Sequence, residues 1–600
     1  MSSITQPLLE LDLFKDPGDA IALEEQVTLG YHRARAIARS YGLTAEDILH
    51  LTPRFWRMHY DPISAFDFSA HTLLTIQYNL AAGTLAPFLK NRPDLKEVMD
   101  RILSFDVSAQ FLLTEVGHGL DARNLETTAT LLPSGEFELL TPHSRAAKYV
   151  DQAICSGARL TEVRYMPPTS PQPGFPRIAV VMARLIINER DKGIRPFLVW
   201  LNDGHRMCKG VSVKVLPHRA GCKPVDHSIT TFNHVLIPGS ALLGPLPKQT
   251  DGKADFHSAI WRVHVGTLAL STTLIPMLKR GIYVAGKYSL RRHVTGPDGS
   301  PKSIISFRTQ QRPIIRGIAQ ALVFDAFAQA SIKIFKDQEI DYRVRHGVAA
   351  TFKAVLSQAV QSTLFALAER CGAQGLFQYN GVIESQLEAR GISIAEGDTL
   401  ALSTRMLQAQ SSTYPNLVAN AFAGLASELL LGRYSMPASK NPSGLLARYE
   451  DGVFAFCRRI FLSLRGGHRG EEFNSYILPH CQTLVEAIGH RMAYEAACEA
   501  GVDEDLLALY EAAVLLQAQA LYIQVSGLDV RPELEKEAIA MDSVLPRLDR
   551  LLDATGVGPY CTAAIVSDES WDTFVGGLQA FGGEGTGLAS MQQESIRSRL

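Results

Sequence analysis

The spacing of apolar residues changes twice along this chain, and that change restricts the fold more than any other feature. Residues 1 to about 105 read as helical. Thr44-Ala45-Glu46-Asp47 places an N-cap and an acid at the third helical position before Ile48 and Leu51, a variant of the capping box. Leu73, Leu74, Ile76 and Leu80 continue an apolar helical face, and Pro93 opens another short helix. Between about 110 and 240 the texture becomes β-like. The runs Ile178-Ala179-Val180-Val181, Phe197-Leu198-Val199-Trp200 and Val211-Ser212-Val213-Lys214-Val215 are separated by Gly, Pro, Asn and Asp, which predicts a small antiparallel β domain. From about 256 helical periodicity returns, over 257–292, 306–335, 342–370 and 399–431. Met436-Pro437-Ala438-Ser439-Lys440-Asn441-Pro442-Ser443-Gly444 reads as a linker. Leu484, Ile488, Met492 and Ala496 then mark a second helical block, and a Gly/Ser/Gln-rich tail follows from about 581.

A chain of 600 residues exceeds what one core organises, so two to four domains are expected. The 59 basic and 61 acidic side chains nearly cancel, which argues against a general nucleic-acid binder, since that needs a cationic surface. The eight cysteines form no CxxC pair, and no HExxH or other His/Cys cluster at ligand spacing occurs, so a reduced intracellular protein with no metal is expected. The N-terminus lacks the basic start and apolar block of a secretory signal. The longest apolar stretches, 178–188 and 506–525, are too short or too amphipathic for a membrane span. The last three residues, Ser598-Arg599-Leu600, fit the small–basic–leucine address read by the peroxisomal import receptor, which makes the peroxisome the expected location.

The residues that bear chemistry fall in order along this frame. Thr114-Glu115-Val116-Gly117-His118-Gly119 opens the β region, followed by Leu125-Glu126-Thr127-Thr128-Ala129-Thr130. Thr114 offers a hydroxyl and an N–H, and two glycines let backbone approach a planar ligand closely; the competing reading is a plain Gly-rich turn. Further on stand Phe232-Asn233-His234-Val235-Leu236-Ile237-Pro238, Tyr288-Ser289-Leu290-Arg291-Arg292, Phe307-Arg308-Thr309-Gln310-Gln311, Arg370-Cys371-Gly372-Ala373-Gln374-Gly375 and Ile394-Ala395-Glu396-Gly397-Asp398-Thr399. An isolated Arg-Arg on a helix usually marks a solvated face, and a lone Glu-Gly before a helix usually marks an acid favoured by the dipole. Their order is what overrides those readings.

From about 60 to 590 this series resembles the peroxisomal acyl-CoA oxidases, a branch of the acyl-CoA dehydrogenase superfamily. The resemblance implies a mainly α fold with a central small β domain. Its expected parts are an N-terminal helical domain (1–108), a β-barrel flavin and substrate domain (109–250), a helical domain with the catalytic Glu (251–435), a C-terminal oxidase-like helical domain (445–580) and a flexible tail (581–600). It implies FAD as cofactor, acyl-CoA and O2 as substrates, and a homodimer in which each FAD site borrows residues from its neighbour. By the same match Glu396 is the base that takes the α-proton. Thr114, Gly117, Pro168, Arg291, Gln310, Gln374, Gly375 and Asp398 hold FAD, with Arg291 reaching the pyrophosphate of the partner subunit, and His118 and Gly119 line the thioester pocket.

The chemistry expected of Glu396 is coherent. A thioester α-C–H is a weak acid, so its base gains from a desolvated carboxylate within reach of the proton. The enolate that develops needs hydrogen-bond donors at the thioester oxygen, such as the Glu396 backbone N–H and a flavin ribityl hydroxyl.

Three features depart from the family pattern. In place of its WWPGG-like stretch the chain has Lys148-Tyr149 and then, past 150–165, Met166-Pro167-Pro168-Thr169; removing 150–165 restores the family's length, so this segment is either an extra loop near the flavin or translated intron sequence. A CGGxG turn has become Cys371-Gly372-Ala373-Gln374-Gly375, with Ala373 in place of its second glycine. Asp398-Thr399 replaces the end of FEGEN. These changes point to a divergent subfamily whose substrate need not be a plain straight-chain fatty acid. The readings that compete with an oxidase are a dehydrogenase-like desaturase serving a flavoprotein partner and a non-catalytic acyl-thioester-binding dimer.

Overall fold

The structure is a computed structural model that describes residues 3–15, 21–118, 122–148, 167–246, 256, 259–396, 425–426, 429–465, 471–526 and 529–582. The expected sites Gly119 and Asp398, the 150–165 segment and the Ser598-Arg599-Leu600 terminus lie outside the described residues, as does most of the helix expected over 399–431.

Helices Leu23–Tyr41, Ala45–Leu49, Pro53–Tyr60, Phe68–Thr75 and Lys96–Leu103 form the N-terminal part. The capping box reads as expected: the Thr44 hydroxyl accepts from the Asp47 N–H at 3.1 Å, and the Asp47 carboxylate accepts from the Thr44 N–H at 3.0 Å. Pro93 opens a 3-10 turn, Pro93–Leu95, which leads into helix Lys96–Leu103. Helix Phe68–Thr75 continues without a break into a π-helical stretch, Ile76–Ala82. A π turn widens the helix and commonly marks a functional position; here it carries Asn79.

The β region is a mixed sheet rather than the antiparallel one expected. Strands β1 (Ser108–Leu112), β2 (Thr128–Leu131), β3 (Phe137–Leu140), β4 (Arg177–Ile187), β5 (Arg190–Asn202) and β8 (Val235–Ile237) make one sheet, and β6 (Val211–Val215) pairs with β7 (Ser228–Phe232) in a second. Both β1 and β2 run parallel to β4, whereas β5 is antiparallel to it. Parallel pairing needs a long crossover, which the chain between β2 and β4 provides. Two of the short runs read from sequence merge into the long β4–β5 hairpin. Its two-residue turn, Asn188-Glu189, has φ of 49° and 62°, the left-handed pair that matches the twist of the flanking strands.

Helices Trp261–Thr272, Leu274–Arg291, Arg308–Lys336, Tyr342–Arg370 and Val382–Ile394 follow. Past the 436–444 linker come Leu445–Ser463, Leu478–Glu499, Glu504–Gln517, Gln519–Ser526, Arg531–Val544 and Asp568–Gly576. The buried apolar side chains of the helical parts, N- and C-terminal alike, form one continuous core, and the sheet has a smaller core of its own around Phe137, Val181, Phe197 and Phe232. Helix Arg308–Lys336 is long and apolar enough to cross a membrane by length and composition, but 56% of its most apolar window is buried, as in a core helix.

Candidate active site

Glu396 stands in the turn after helix Val382–Ile394, with φ of 52°. Left-handed backbone is uncommon for a residue with a Cβ, and such strain tends to be held at functional positions. The conformation turns the carboxyl back into the protein. Its Oε2 accepts from Asn79 Nδ2 at 3.1 Å and lies where a Cβ on Gly266 would stand, 1.0 Å from that position. The residue as a whole keeps intermediate exposure, but the carboxyl is enclosed. Burial pushes it up to about 8, against the opposing pull of Lys353, Arg262 and the Asn79 amide. The Glu396 carbonyl accepts from Thr267 Oγ1 at 3.0 Å, and Lys353 Nζ donates to the carbonyl of Ala395, so both sides of the turn are pinned.

Asn79 bridges two elements. Its Nδ2 also donates to the carbonyl of Arg262 at 3.0 Å, and Arg262 Nε donates to the carbonyl of Asn79 at 2.8 Å. Arg262 and Gly266 are one turn apart on helix Trp261–Thr272 and so share a face. None of Asn79, Arg262, Gly266 or Lys353 was singled out from sequence. Gly266 alone left a signal, as a glycine inside an apolar helical run, which often marks a close approach.

The segment after β1 is organised by a buried ion pair. Glu115 Oε1 accepts from Lys148 Nζ at 3.0 Å and from the Thr127 N–H at 2.9 Å, and Oε2 accepts from the Glu126 N–H at 2.7 Å. Both side chains are fully buried, and burial pulls Lys148 down against the pull of Glu115. One carboxylate thus ties together the Thr114–His118 and Leu125–Thr130 motifs. The Thr114 hydroxyl makes no hydrogen bond among the described residues. The Gly117 N–H donates to Arg145 O at 2.8 Å, and His118 and His143 flank Glu126 at 2.6 and 2.7 Å. Pro168 is buried, its carbonyl accepting from Arg177 Nη1 at 2.7 Å.

A second group forms where helices Leu274–Arg291, Arg308–Lys336 and Tyr342–Arg370 meet. Gln310 Nε2 donates to Ser289 Oγ at 2.8 Å and to the carbonyl of Arg370 at 2.7 Å, which joins three separate sequence motifs at one side chain. Arg291 Nη1 pairs with Asp568 at 2.6 Å, and its Nε is buried without a partner. Gln374 accepts from the Tyr379 hydroxyl at 2.8 Å and from Asn380 at 3.0 Å. Gly375 is buried where a Cβ would lie 2.0 Å from the carbonyl of Ala368, so only glycine fits. An uncommitted threonine hydroxyl and an arginine with an unsatisfied N–H are donors suited to a cofactor bearing phosphates, whereas the Gly117 N–H is already committed to Arg145.

Comparison with known proteins gives this geometry a context. The family model for the acyl-CoA oxidase C-alpha1 domain matches residues 265–410. The peroxisomal acyl-coenzyme A oxidase 2 of Arabidopsis thaliana is 25% identical over 347 residues, 53% of this chain and 47% of that protein. The peroxisomal acyl-coenzyme A oxidase 3 of the same plant is 25% identical over 70% of this chain and 64% of its own length. These sequence matches therefore span about half to two thirds of the curated relatives. In three dimensions, acyl-CoA oxidase 1 from Yarrowia lipolytica superposes with a TM-score of 0.78 at 17% identity, covering 100% of this chain and 92% of the other. Acyl-CoA oxidase-2 of Caenorhabditis elegans, solved with FAD, ascaroside-CoA and ATP, gives 0.74 at 17% identity, covering 99% and 93%.

The fold is that of the acyl-CoA oxidases: helices, a central small β region, then helices again. In sequence the chain is similar to the peroxisomal acyl-CoA oxidases at about 25% identity, and residues 265–410 match their C-alpha1 domain.

Proposed function

We propose that this protein is an FAD-dependent acyl-CoA oxidase. It introduces a trans double bond between C2 and C3 of an acyl-CoA and delivers the electrons to O2 as hydrogen peroxide, the first step of fatty-acid β-oxidation. The observation that carries the reading is the Glu396 carboxyl, enclosed on a left-handed turn and raised to about 8, a value suited to a base working near neutral pH. Bound FAD supplies the acceptor for the hydride that leaves C3.

The rest is work for the chain itself. Glu396 removes the C2 proton, Asn79 holds the carboxyl in line, and Thr267 and Lys353 fix the turn on which it stands. Thr114, Gly117, Pro168, Gln310, Gln374 and Gly375 are the residues assigned to the cofactor, and Arg291 is assigned to the pyrophosphate of a second subunit in a homodimer. Asp398 belongs to this set by sequence alone, and His118 and Gly119 are assigned to the thioester. Peroxisomal location is supported by the names of the relatives.

The test is a panel of CoA esters given to purified, FAD-loaded enzyme, with peroxide release followed beside dye reduction. Stoichiometric peroxide supports the oxidase. Dye reduction with an oxygen-inert reduced enzyme assigns it instead to the dehydrogenases, and a preparation that takes up no FAD leaves only a binding role.

A further inference from the structure

A cavity of about 400 Å³ opens between the C-terminal helices, and it shares no residue with the group around Glu396. Its size is within the range of pockets that take small molecules. Thr483, Glu486, Ala487 and His490 recur every three or four residues, so helix Leu478–Glu499 turns one face to it. Helix Leu445–Ser463 contributes Tyr449, and helix Tyr342–Arg370 contributes Ala359. The remaining wall comes from the place where helix Glu504–Gln517 is interrupted at Ala518 before helix Gln519–Ser526 begins. Ala359, Ala487, Val514 and Leu521 make the apolar part of the lining.

The polar part of the lining is one-sided. No Lys or Arg lines the cavity, and Glu486 makes no ion pair among the described residues. Its Oε1 accepts from Gln482 Nε2 at 2.8 Å, while Oε2 has no partner among them. Burial raises this carboxyl, and the Gln482 amide alone opposes it. Burial first, and then the charge of Glu486, push the Tyr449 phenol up to about 12, so the two groups sense one another. His490 Nδ1 shares a hydrogen bond of 2.8 Å with the Tyr510 hydroxyl, and burial brings the ring down to about 4, which leaves it neutral. With Nδ1–H donating to Tyr510, Nε2 is an acceptor; neither it nor the Tyr449 hydroxyl is paired among the described residues. A carboxylate, a phenol oxygen and an imidazole nitrogen lining one space call for donors and positive charge. A primary ammonium brings three donors, no acceptor and one charge. An anionic ligand would meet the like charge of Glu486, and an alcohol would leave that charge uncompensated.

We propose that this cavity is a binding site for a small primary amine, whose ammonium group is held by Glu486, Tyr449 and His490 while a short alkyl stem lies on Ala359, Ala487, Val514 and Leu521. A free amine suits it better than a lysine carried on another protein, because Tyr449, at 3% exposure, stands below the surface of the helix bundle. The site is independent of the redox chemistry: it needs no flavin and does not touch Glu396.

The test is titration calorimetry on the purified whole chain with n-butylamine hydrochloride, 1-butanol, sodium butyrate and Nα-acetyl-lysine methylamide. Butylammonium is expected to bind saturably and roughly ten- to a hundredfold more tightly than butanol, the range for hydrogen bonds to a charged group. Butyrate should not bind. Glu486→Gln keeps the shape of the side chain and removes its charge, so it should bring butylammonium down to the level of butanol with the parent's circular dichroism. Tyr449→Phe removes one acceptor and should weaken butylammonium by roughly three- to tenfold. If Glu486→Gln does not fold, Tyr449→Phe and the ranking on the unaltered chain decide. Absence of saturable butylammonium binding overturns the proposal, as do equal affinity for butanol and an ammonium preference that survives Glu486→Gln. Tighter binding of the blocked lysine than of butylamine would overturn the free amine as occupant.

Discussion

At the scale of single residues, the proposed chemistry turns on the protonation of Glu396. Its carboxyl is raised from 4.5 to about 8, so it is mostly protonated at neutral pH and becomes a competent base as the pH rises. For the free enzyme kcat/KM should therefore climb with pH to a plateau above about 8. Because the Asn79 amide favours the charged carboxylate, Asn79→Leu should move that limb to higher pH, which a pH–rate profile measures directly. Replacing the proposed base, Glu396→Gln, should lower kcat by roughly 10²–10⁴-fold while FAD content stays the same; an unchanged rate would show that another group takes the proton. The linkage to stability has a definite sign. The folded chain keeps a proton that the unfolded chain releases between 4.5 and about 8, so this contribution to stability is full below 4.5 and is lost as pH rises through about 8. Thermal melts of Glu396→Gln over that window should show a flatter pH dependence than the parent.

At the scale of elements, two close approaches determine where the chemistry stands. Helix Trp261–Thr272 can pass the Glu396 turn only because residue 266 has no side chain, since a Cβ there would fall 1.0 Å from Oε2 and 2.2 Å from Cδ. Gly266→Ala should expel the carboxyl from its position and abolish most turnover, with little change in helical content by circular dichroism. The second is the Glu115–Lys148 pair behind the Thr114 segment. Removing one partner strands a buried charge, so Lys148→Met or Glu115→Gln should cost about 3–5 kcal/mol and release FAD, whereas the double replacement should recover much of the loss. Unfolding midpoints and flavin retention of the three variants read this out. Sequence periodicity found the elements themselves well: helix Tyr342–Arg370 has the bounds read from its pattern, and the Thr44 cap forms as its residue types suggest. It did not find the parallel pairing of β1 and β2 with β4, because strand direction depends on which distant segment arrives alongside, and alternation within a strand carries no record of that.

At the scale of the whole molecule, the N- and C-terminal helices share one core while the sheet keeps its own, so the carboxyl of Glu396 is enclosed by parts of the chain that are far apart in sequence. If Arg291 serves the cofactor of a neighbouring subunit, sedimentation should give twice the mass of the 65.7 kDa chain, and Arg291→Ala should lose FAD without losing the dimer. What the sequence determined by itself was the succession of helical, β and helical blocks and the ordered motifs that mark Thr114, Arg291, Gln310 and Glu396, because local periodicity and a fixed motif order survive in one dimension. The environment of the Glu396 carboxyl was decided only in three dimensions. Asn79 reaches Glu396 across 317 residues of chain, and Arg262 and Gly266 stand on a helix whose own pattern is merely apolar. A carboxyl becomes a base near neutral pH through the loss of water around it, and that loss is a property of packing between distant segments.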